Sequence, residues 1–136
     1  VHRRPGMDCW RLELPGSWQQ YLSRLSKTHR RRIRQAQRRV LDTPRAVLRS
    51  VDNENDLPRG MEILVELHQR RRNSLGEPGC FICDRYSAFL HDFTPRCFRR
   101  GQLRLQWLEL DGRPAAAEYQ LLDDDDQRHV DGVAGR

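Results

Sequence analysis

Apolar residues recur along the first third of the chain at spacings typical of helices. From residue 18 to residue 40 an apolar or weakly polar side chain returns every three or four positions, which predicts one inward stripe: Trp18, Leu22, Leu25, His29, Ile33, Ala36 and Val40. Ser17 is placed to cap this helix, and Ser26 to cap a second helix if the first one breaks. Ahead of them, Cys9–Leu14 alternates before Pro15-Gly16 and predicts a short strand and a turn.

The middle of the chain predicts one strand and two further helices. Arg45–Val51 alternates as a strand does. The acids of Asp52–Asp56 and Pro58 favour a helix start, and Gly76 is expected to end that helix. Its inward face is expected to carry Leu57, Met61, Leu64, His68, Arg71 and Leu75. Asp84 is expected to cap the next helix, whose apolar face comprises Tyr86, Phe89, Leu90, Phe93 and Phe98.

The last third of the chain predicts an antiparallel hairpin. Leu103–Leu110 and Pro114–Leu122 alternate on either side of Asp111-Gly112, a pair that favours a two-residue hairpin turn. The acids Asp123–Asp126 repel one another and predict a solvated turn, since the ligand spacing of a calcium loop is missing, and Gln127–Val133 then begins another strand. These elements predict an α+β fold with helices packed on an antiparallel meander.

Length and composition are typical of one intracellular domain. The 136 residues suit a single core, and no apolar run approaches the roughly 20 residues of a membrane span or resembles a signal peptide. A cytoplasmic protein is therefore expected, with free thiols at Cys9, Cys80, Cys83 and Cys97. Because the chain begins at Val1 and stops at Arg136 just after a strand-like stretch, residues 1–136 are expected to be part of a longer protein.

Positive charge is concentrated in one stretch. The net charge is +6, yet residues 24–49 alone carry ten Lys or Arg and a single acid, Asp42. Guanidinium groups bind phosphate oxygens in forked pairs, so one interpretation is a platform for nucleic acid or another polyanion. The other is a solvated helix face. Aromatic residues for base stacking are missing from the stretch, which disfavours sequence-specific RNA recognition.

Three small groups of residues carry candidate chemistry. Cys80-x-x-Cys83 with His91 and Cys97 has zinc-binding residue types, but the uneven spacing favours buried structural cysteines, and no metal is expected. His68 lies on a predicted helix, where a histidine is either a packed residue or a general base. Glu118 and Tyr119 are neighbours on a strand and therefore point to opposite faces.

Four segments together resemble one family, the GNAT-related acyltransferases of the CelD-like group, which is linked to bacterial cellulose and exopolysaccharide clusters. The segments span most of the chain: Leu14-Pro15-Gly16-Ser17-Trp18 with Tyr21-Leu22 and Leu25-Ser26, then the basic run Lys27–Arg39, then Leu67-His68-Gln69-Arg70-Arg71 with Leu75-Gly76-Glu77-Pro78-Gly79, then Leu110-Asp111-Gly112-Arg113-Pro114-Ala115-Ala116.

The resemblance implies a GNAT-like fold and direct acyl transfer from acyl-CoA, with acetyl-CoA as the usual donor, to an amine or hydroxyl. The acceptor would be an envelope or polysaccharide-related molecule. His68 would be the first choice for the general base, and Glu118 or Tyr119 the second. The anchors for an anionic, sugar-linked substrate or carrier would be Ser26, Lys27, Arg30, Arg34 and Arg71. The loop that cradles the pyrophosphate of the donor would follow Arg136, so residues 1–136 would stop before the carrier-binding half.

Two functions stay open from the sequence. One is the front part of an acyltransferase, inactive as a fragment and active in the full-length protein. The other is a module that binds RNA or a phosphorylated polymer through the arginine-rich helix and performs no chemistry. The two merge if the acyl donor is an aminoacyl-tRNA.

Overall fold

The structure, a computed structural model, describes residues 12–122 of the chain. Its internal contacts form two compact units, Val1–Arg39 and Val40–Arg136. A single domain over residues 1–136 stays a prediction. The predicted turn Asp123–Asp126 and strand Gln127–Val133 lie outside the described residues.

The first unit contains two short helices, α1 (Trp18–Arg24) and α2 (Lys27–Ala36). The Ser17 hydroxyl accepts the Gln20 N–H at the start of α1, and the Ser26 hydroxyl accepts the His29 N–H at the start of α2. Both predicted caps are therefore confirmed, because each satisfies a backbone donor that the helix leaves unpaired. Leu25 and Ser26 are extended between the helices, so the helical stretch breaks where Ser26 predicts.

Two expectations for this unit are wrong. Leu22 is buried, but Trp18, His29 and Ala36 are exposed, because the break at Ser26 prevents α1 and α2 from sharing one continuous inward stripe. Residues 12–14 form no strand, and their leucines are exposed. Alternation alone does not make a strand where no neighbouring strand pairs with it. The start of that predicted strand lies outside the described residues.

The second unit holds a sheet and two longer helices. After a π-helical turn that runs from the end of α2, its elements are β1 (Ala46–Ser50), α3 (Leu57–Ser74), α4 (Asp84–Arg99), β2 (Leu103–Leu110) and β3 (Arg113–Leu121). Single 3-10 turns, Glu54–Asp56 and Cys80–Ile82, precede α3 and α4. The α+β class predicted from the sequence is confirmed.

The three strands form an antiparallel sheet in the order β1-β2-β3. Ala46 pairs with Leu110 and Ser50 with Gln106, so β1 lies along residues 106–110 of β2. The hairpin prediction is confirmed: Asp111 and Gly112 have φ of 51° and 75°, the left-handed pair of a tight hairpin turn. The pairing register shifts early in β3, where Ala115 is the extra residue of a β-bulge.

Helices α3 and α4 pack on this sheet around one apolar core, whose buried members are Val51, Leu57, Cys97, Leu103 and Leu105. Gly60 lets α3 approach closely, since a Cβ there would lie 2.7 Å from Val51 and 2.8 Å from Leu105. Pro58 lies in the first turn of α3, as predicted.

Three helix details differ from the sequence predictions. Asp84 is the first residue of α4 and Cys83 is its cap, which still leaves the Asp84 carboxylate in the first turn, where the helix dipole favours it. The face of α4 that is buried carries Leu90, Thr94 and Cys97, whereas Tyr86 and Phe89 are exposed. Arg71 and Leu75 are also exposed, because the inward face of α3 ends before its last turn.

Candidate active site

A cleft of about 490 Å³ lies between the C-terminal half of α3 and the start of β3. Its α3 side carries polar and basic groups, and its β3 side carries three small residues: Leu64, Leu67, His68, Arg70, Arg71 and Ser74 face Ala115, Ala116 and Ala117. His68 and Arg71 share one side of the helix because they are three residues apart. The cleft therefore joins a titratable group and guanidinium groups, as a site for an anionic molecule requires.

The shape of the cleft follows from β3. The bulge at Ala115 bends the strand, and the alanine side chains fill little of the space under α3. A larger residue at Ala117, which shares the face of Tyr119, would occupy the cleft. His68, the first choice for the base, and Arg71, one of the expected anchors, both line this cleft.

His68 also has a close neighbour, Cys80, which its sequence pattern predicted to be a structural cysteine. The Cys80 Sγ lies 3.4 Å from His68 Nε2, and the Cys80 backbone N–H points at the same nitrogen from 3.5 Å. Phe81 meets the imidazole edge-on, with ring centroids 5.0 Å apart. Only Cys97 is buried among the three described cysteines; Cys80 is half-buried and Cys83 exposed, so the prediction of buried cysteines holds for one of three.

The loop after α3 brings Cys80 back to His68. Gln69 Nε2 donates to the Pro78 carbonyl at 2.9 Å, and Arg72 pairs with Glu77. Gly79 has φ 74° and ψ 165°, a region open almost only to glycine, and a Cβ there would lie 2.1 Å from Gln69 Oε1. The glycine therefore permits the close turn that places Cys80 beside the helix.

Tyr119 and Glu118 lie on opposite faces of β3. The Tyr119 hydroxyl lies under the helices, 3.1 Å from the hydroxyl of the buried Thr94. Burial raises the pKa of Tyr119, and the hydrogen bond between its hydroxyl and that of Thr94 partly opposes that increase. Glu118 is exposed and accepts a hydrogen bond from Gln120 at 2.9 Å. Of these two residues, Tyr119 is the one on the helix side of the sheet, where His68 also lies.

The remaining predicted anchors belong to the first unit. The Ser26 hydroxyl is occupied by its capping bond and by His29 Nδ1 at 3.0 Å. Arg30 donates to the Leu25 carbonyl at 3.0 Å and so closes the turn between α1 and α2. Lys27 and Arg34 are exposed, and no ion pair joins them to an acid within residues 12–122.

Within residues 12–122, no three His, Cys, Asp or Glu side chains converge as metal ligands would. No helix in the same range is long and apolar enough to cross a membrane.

An antiparallel sheet covered by helices defines an α+β protein consistent with a GNAT-like fold. The model of the acetyltransferase (GNAT) domain family matches residues 27–130, so the chain belongs to the GNAT acetyltransferase family. The family transfers acyl groups and uses acetyl-CoA, which makes acyl transfer the general activity of this domain. Comparisons with curated proteins and with solved structures gave no match.

Proposed function

We propose that the domain moves an acyl group from acyl-CoA to an amine or hydroxyl of an anionic, sugar-linked acceptor related to the cell envelope or its polysaccharides. The observation that carries the proposal is the α3–β3 cleft, in which His68 lies beside Arg70 and Arg71. A histidine base next to two arginines suits an acceptor whose nucleophile is close to a phosphate or carboxylate. The resemblance to the CelD-like group supports the choice of acceptor class.

In this proposal His68 takes the proton of the attacking nucleophile through Nε2. Its two contacts with Cys80 are long, 3.4 Å and 3.5 Å, so an acceptor hydroxyl or amine can bind to Nε2 in their place. The nucleophile then attacks the thioester carbonyl, whose oxygen gains negative charge. Preorganised backbone N–H groups of the sheet stabilise that charge at little reorganisation cost.

Tyr119 is suited to donate a proton, whereas His68 accepts one from the nucleophile. Because burial raises its pKa, the phenol stays protonated at neutral pH and is a better donor than base. Tyr119 lies two residues beyond Ala117, the last residue of β3 that lines the cleft, and its hydroxyl contacts Thr94; we propose it for the protonation of the leaving thiolate. Glu118 lies on the other face of β3 and is not part of the proposed cleft.

The first test measures acyl transfer by the full-length protein. His68→Ala is expected to lower kcat by about 10²- to 10⁴-fold, the usual contribution of a general base. His91→Ala is the matched control, since His91 is an exposed histidine on α4 that does not line this cleft. Turnover that His68→Ala leaves at the wild-type value would overturn the assignment of the base.

A second measurement tests the acceptor class. Arg71→Gln is expected to raise KM about tenfold for a phosphorylated sugar acceptor and to leave KM for the neutral sugar unchanged, because one charge-assisted contact contributes about 1.5 kcal/mol. Equal effects on both acceptors would exclude recognition of the anion by Arg71.

The exposed cations of α2 are proposed to form an anion-binding surface of their own within the first unit. Lys27 and Arg34 are free of ion pairs with acids in the described range, which leaves both able to bind phosphate oxygens. Their replacement by glutamine is expected to weaken binding of a polyphosphate probe and to flatten its salt dependence. An unchanged salt dependence would remove them from the site.

A further inference from the structure

The contact between His68 and Cys80 has a defined direction. The Cys80 backbone N–H can only donate, and it points at His68 Nε2 from 3.5 Å. Nε2 is therefore the acceptor in this contact, which corresponds to the tautomer with the ring proton on Nδ1. The Cys80 thiol, 3.4 Å from the same Nε2, must then be the donor of its S–H. A thiol that donates to an imidazole nitrogen is arranged to lose its proton.

The surroundings hold this pair in place. The edge-on contact with Phe81 orients the imidazole ring, and the Gly79 turn together with the Gln69 tether fixes the backbone of Cys80 against α3. Tyr86 packs on the other side of Phe81, with ring centroids 5.7 Å apart. Partial burial, and secondly the neighbouring Cys80, raises the pKa of Tyr86, so its phenol stays protonated at neutral pH. A phenol O–H is a suitable donor to a thiolate.

The other two described cysteines show what is particular to Cys80. Cys97 is a buried member of the apolar core, where no reagent reaches it. Cys83 is exposed and within residues 12–122 no histidine contacts its sulfur. Among these three described cysteines, Cys80 alone combines partial exposure with an adjacent imidazole. Reactivity of a cysteine follows from its thiolate fraction and its access, so Cys80 should differ strongly from both.

We propose that Cys80 is a nucleophile that takes an acyl group from a thioester, with His68 as its base. The thiol proton moves to His68 Nε2, and the sulfur attacks the thioester carbonyl. The bond between the carbonyl carbon and the departing sulfur breaks, and the departing thiolate recovers the proton from His68. The products are an S-acyl Cys80 and one free thiol, so a thioester is exchanged for a thioester and no oxidant or reductant is needed. The inference rests on the proposed function only in taking a thioester as the acyl source.

The experiment follows acylation of the full chain by mass. The probes are acetyl-CoA and S-acetyl-N-acetylcysteamine, a thioester that lacks the nucleotide and so needs no carrier-binding site. Peptide mapping is expected to find one acetyl group, on Cys80. His68→Gln should slow its formation by about 100-fold or more, the contribution of a general base, and Cys83→Ser should leave the rate unchanged. The rates of acetylation of Cys80 and Cys83 can also be compared in the wild-type chain, without a variant. Equal rates at the two cysteines would overturn the proposal.

A second arm separates this inference from the proposed function. If transfer to an acceptor proceeds while no acyl group reaches Cys80 during turnover or in the absence of acceptor, the nucleophile is excluded and the acyltransferase stands. If Cys80 is acylated by the short thioester while no acceptor of the proposed class is modified, the nucleophile stands and the proposed acceptor class fails. Cys80→Ser, checked for an unchanged melting temperature, must lose the label; retention of the label on another residue would also overturn the proposal.

Discussion

The two units of the chain use arginine in different ways. In residues 40–122, arginines form seven ion pairs with acids, among them Arg45 with Asp111 at the hairpin turn and Arg99 with Glu54 beside α3. In residues 12–39, the arginines of α2 have no such partner among the described acids, and one residue, Leu22, is buried. In the first unit the positive charges of α2 are therefore exposed without acidic partners. In the second unit the arginines named above are paired with acids around an apolar core. Total charge does not reveal that difference; the placement of the acids does.

The largest expected effect tests the core of the second unit. Leu105 is 2% exposed and lies in contact with α3, so Leu105→Ala should lower the free energy of unfolding by about 2–5 kcal/mol. Leu48 on β1 is 64% exposed, and Leu48→Ala should change the free energy of unfolding by less than about 0.5 kcal/mol. Urea unfolding of both variants measures the difference. Similar losses in the two variants would mean that the buried side of the sheet is not the source of stability.

The next effect concerns the loop that carries Cys80. Gly79→Ala should cost about 1–3 kcal/mol because its backbone conformation excludes a side chain, and the crowding by Gln69 should also move Cys80 away from His68. Gly76→Ala is the control: its φ is also positive, but nothing lies within 4 Å of the added Cβ. That variant should cost about 1 kcal/mol. Thermal unfolding gives both values, and faster thioester acylation of Cys80 in Gly79→Ala than in the wild type would contradict the positioning role.

The parts of this fold that were predictable are those decided by a few neighbouring residues. Asp111 and Gly112 favour the hairpin turn by their own backbone preferences, and Ser17 and Ser26 cap helices within three residues of themselves. The pair of His68 and Cys80 was not predictable in the same way. It depends on a loop folding back onto α3, and periodicity carries no information on where a loop ends in space. Gly79 in a turn after a helix was the available signal.

Helical periodicity failed where partners outside the helix decide burial. The predicted stripe through His29 and Ala36 is exposed, although its spacing is regular, because the chain turns at Ser26. On α4 the same reasoning named Phe89 as inward and left out Thr94, which is buried. Burial of a hydroxyl depends on a partner, here Tyr119, which lies 25 residues away along the chain.

A smaller effect probes that polar contact inside the second unit. Thr94→Val should lower the free energy of unfolding by about 1 kcal/mol, the loss of one hydrogen bond at a similar side-chain volume. It should also raise the pKa of Tyr119 further, because the Thr94 hydroxyl holds it down in the wild type. Absorbance titration of the phenols, with Tyr119→Phe to assign the signal, measures the shift. A lower pKa in the variant would contradict the hydrogen bond.

The same raised pKa predicts a direction for stability against pH. Tyr119 ionises in the unfolded chain near pH 10 and in the folded protein only at higher pH. Its contribution to stability is therefore complete below about pH 10 and is lost as pH rises through the folded pKa. Thr94→Val should extend that loss to higher pH, and a stability that rises above pH 10 through this group would be inconsistent with the burial of Tyr119.

The smallest expected effect separates the two uses of arginine. Replacing Arg31, Arg34 and Arg38 together by glutamine should leave α2 as stable or slightly more stable, because like charges three and four residues apart repel by about 0.2–0.5 kcal/mol per pair. The gain should vanish at high salt, which screens exposed charges. Arg30→Gln is the contrasting variant, since its bond to the Leu25 carbonyl closes the turn between the helices and its loss should cost about 1 kcal/mol. Hydrogen exchange of the α2 amides measures both. If the triple variant instead exchanged faster than Arg30→Gln, the cations of α2 would be structural, and the difference between the two units would disappear.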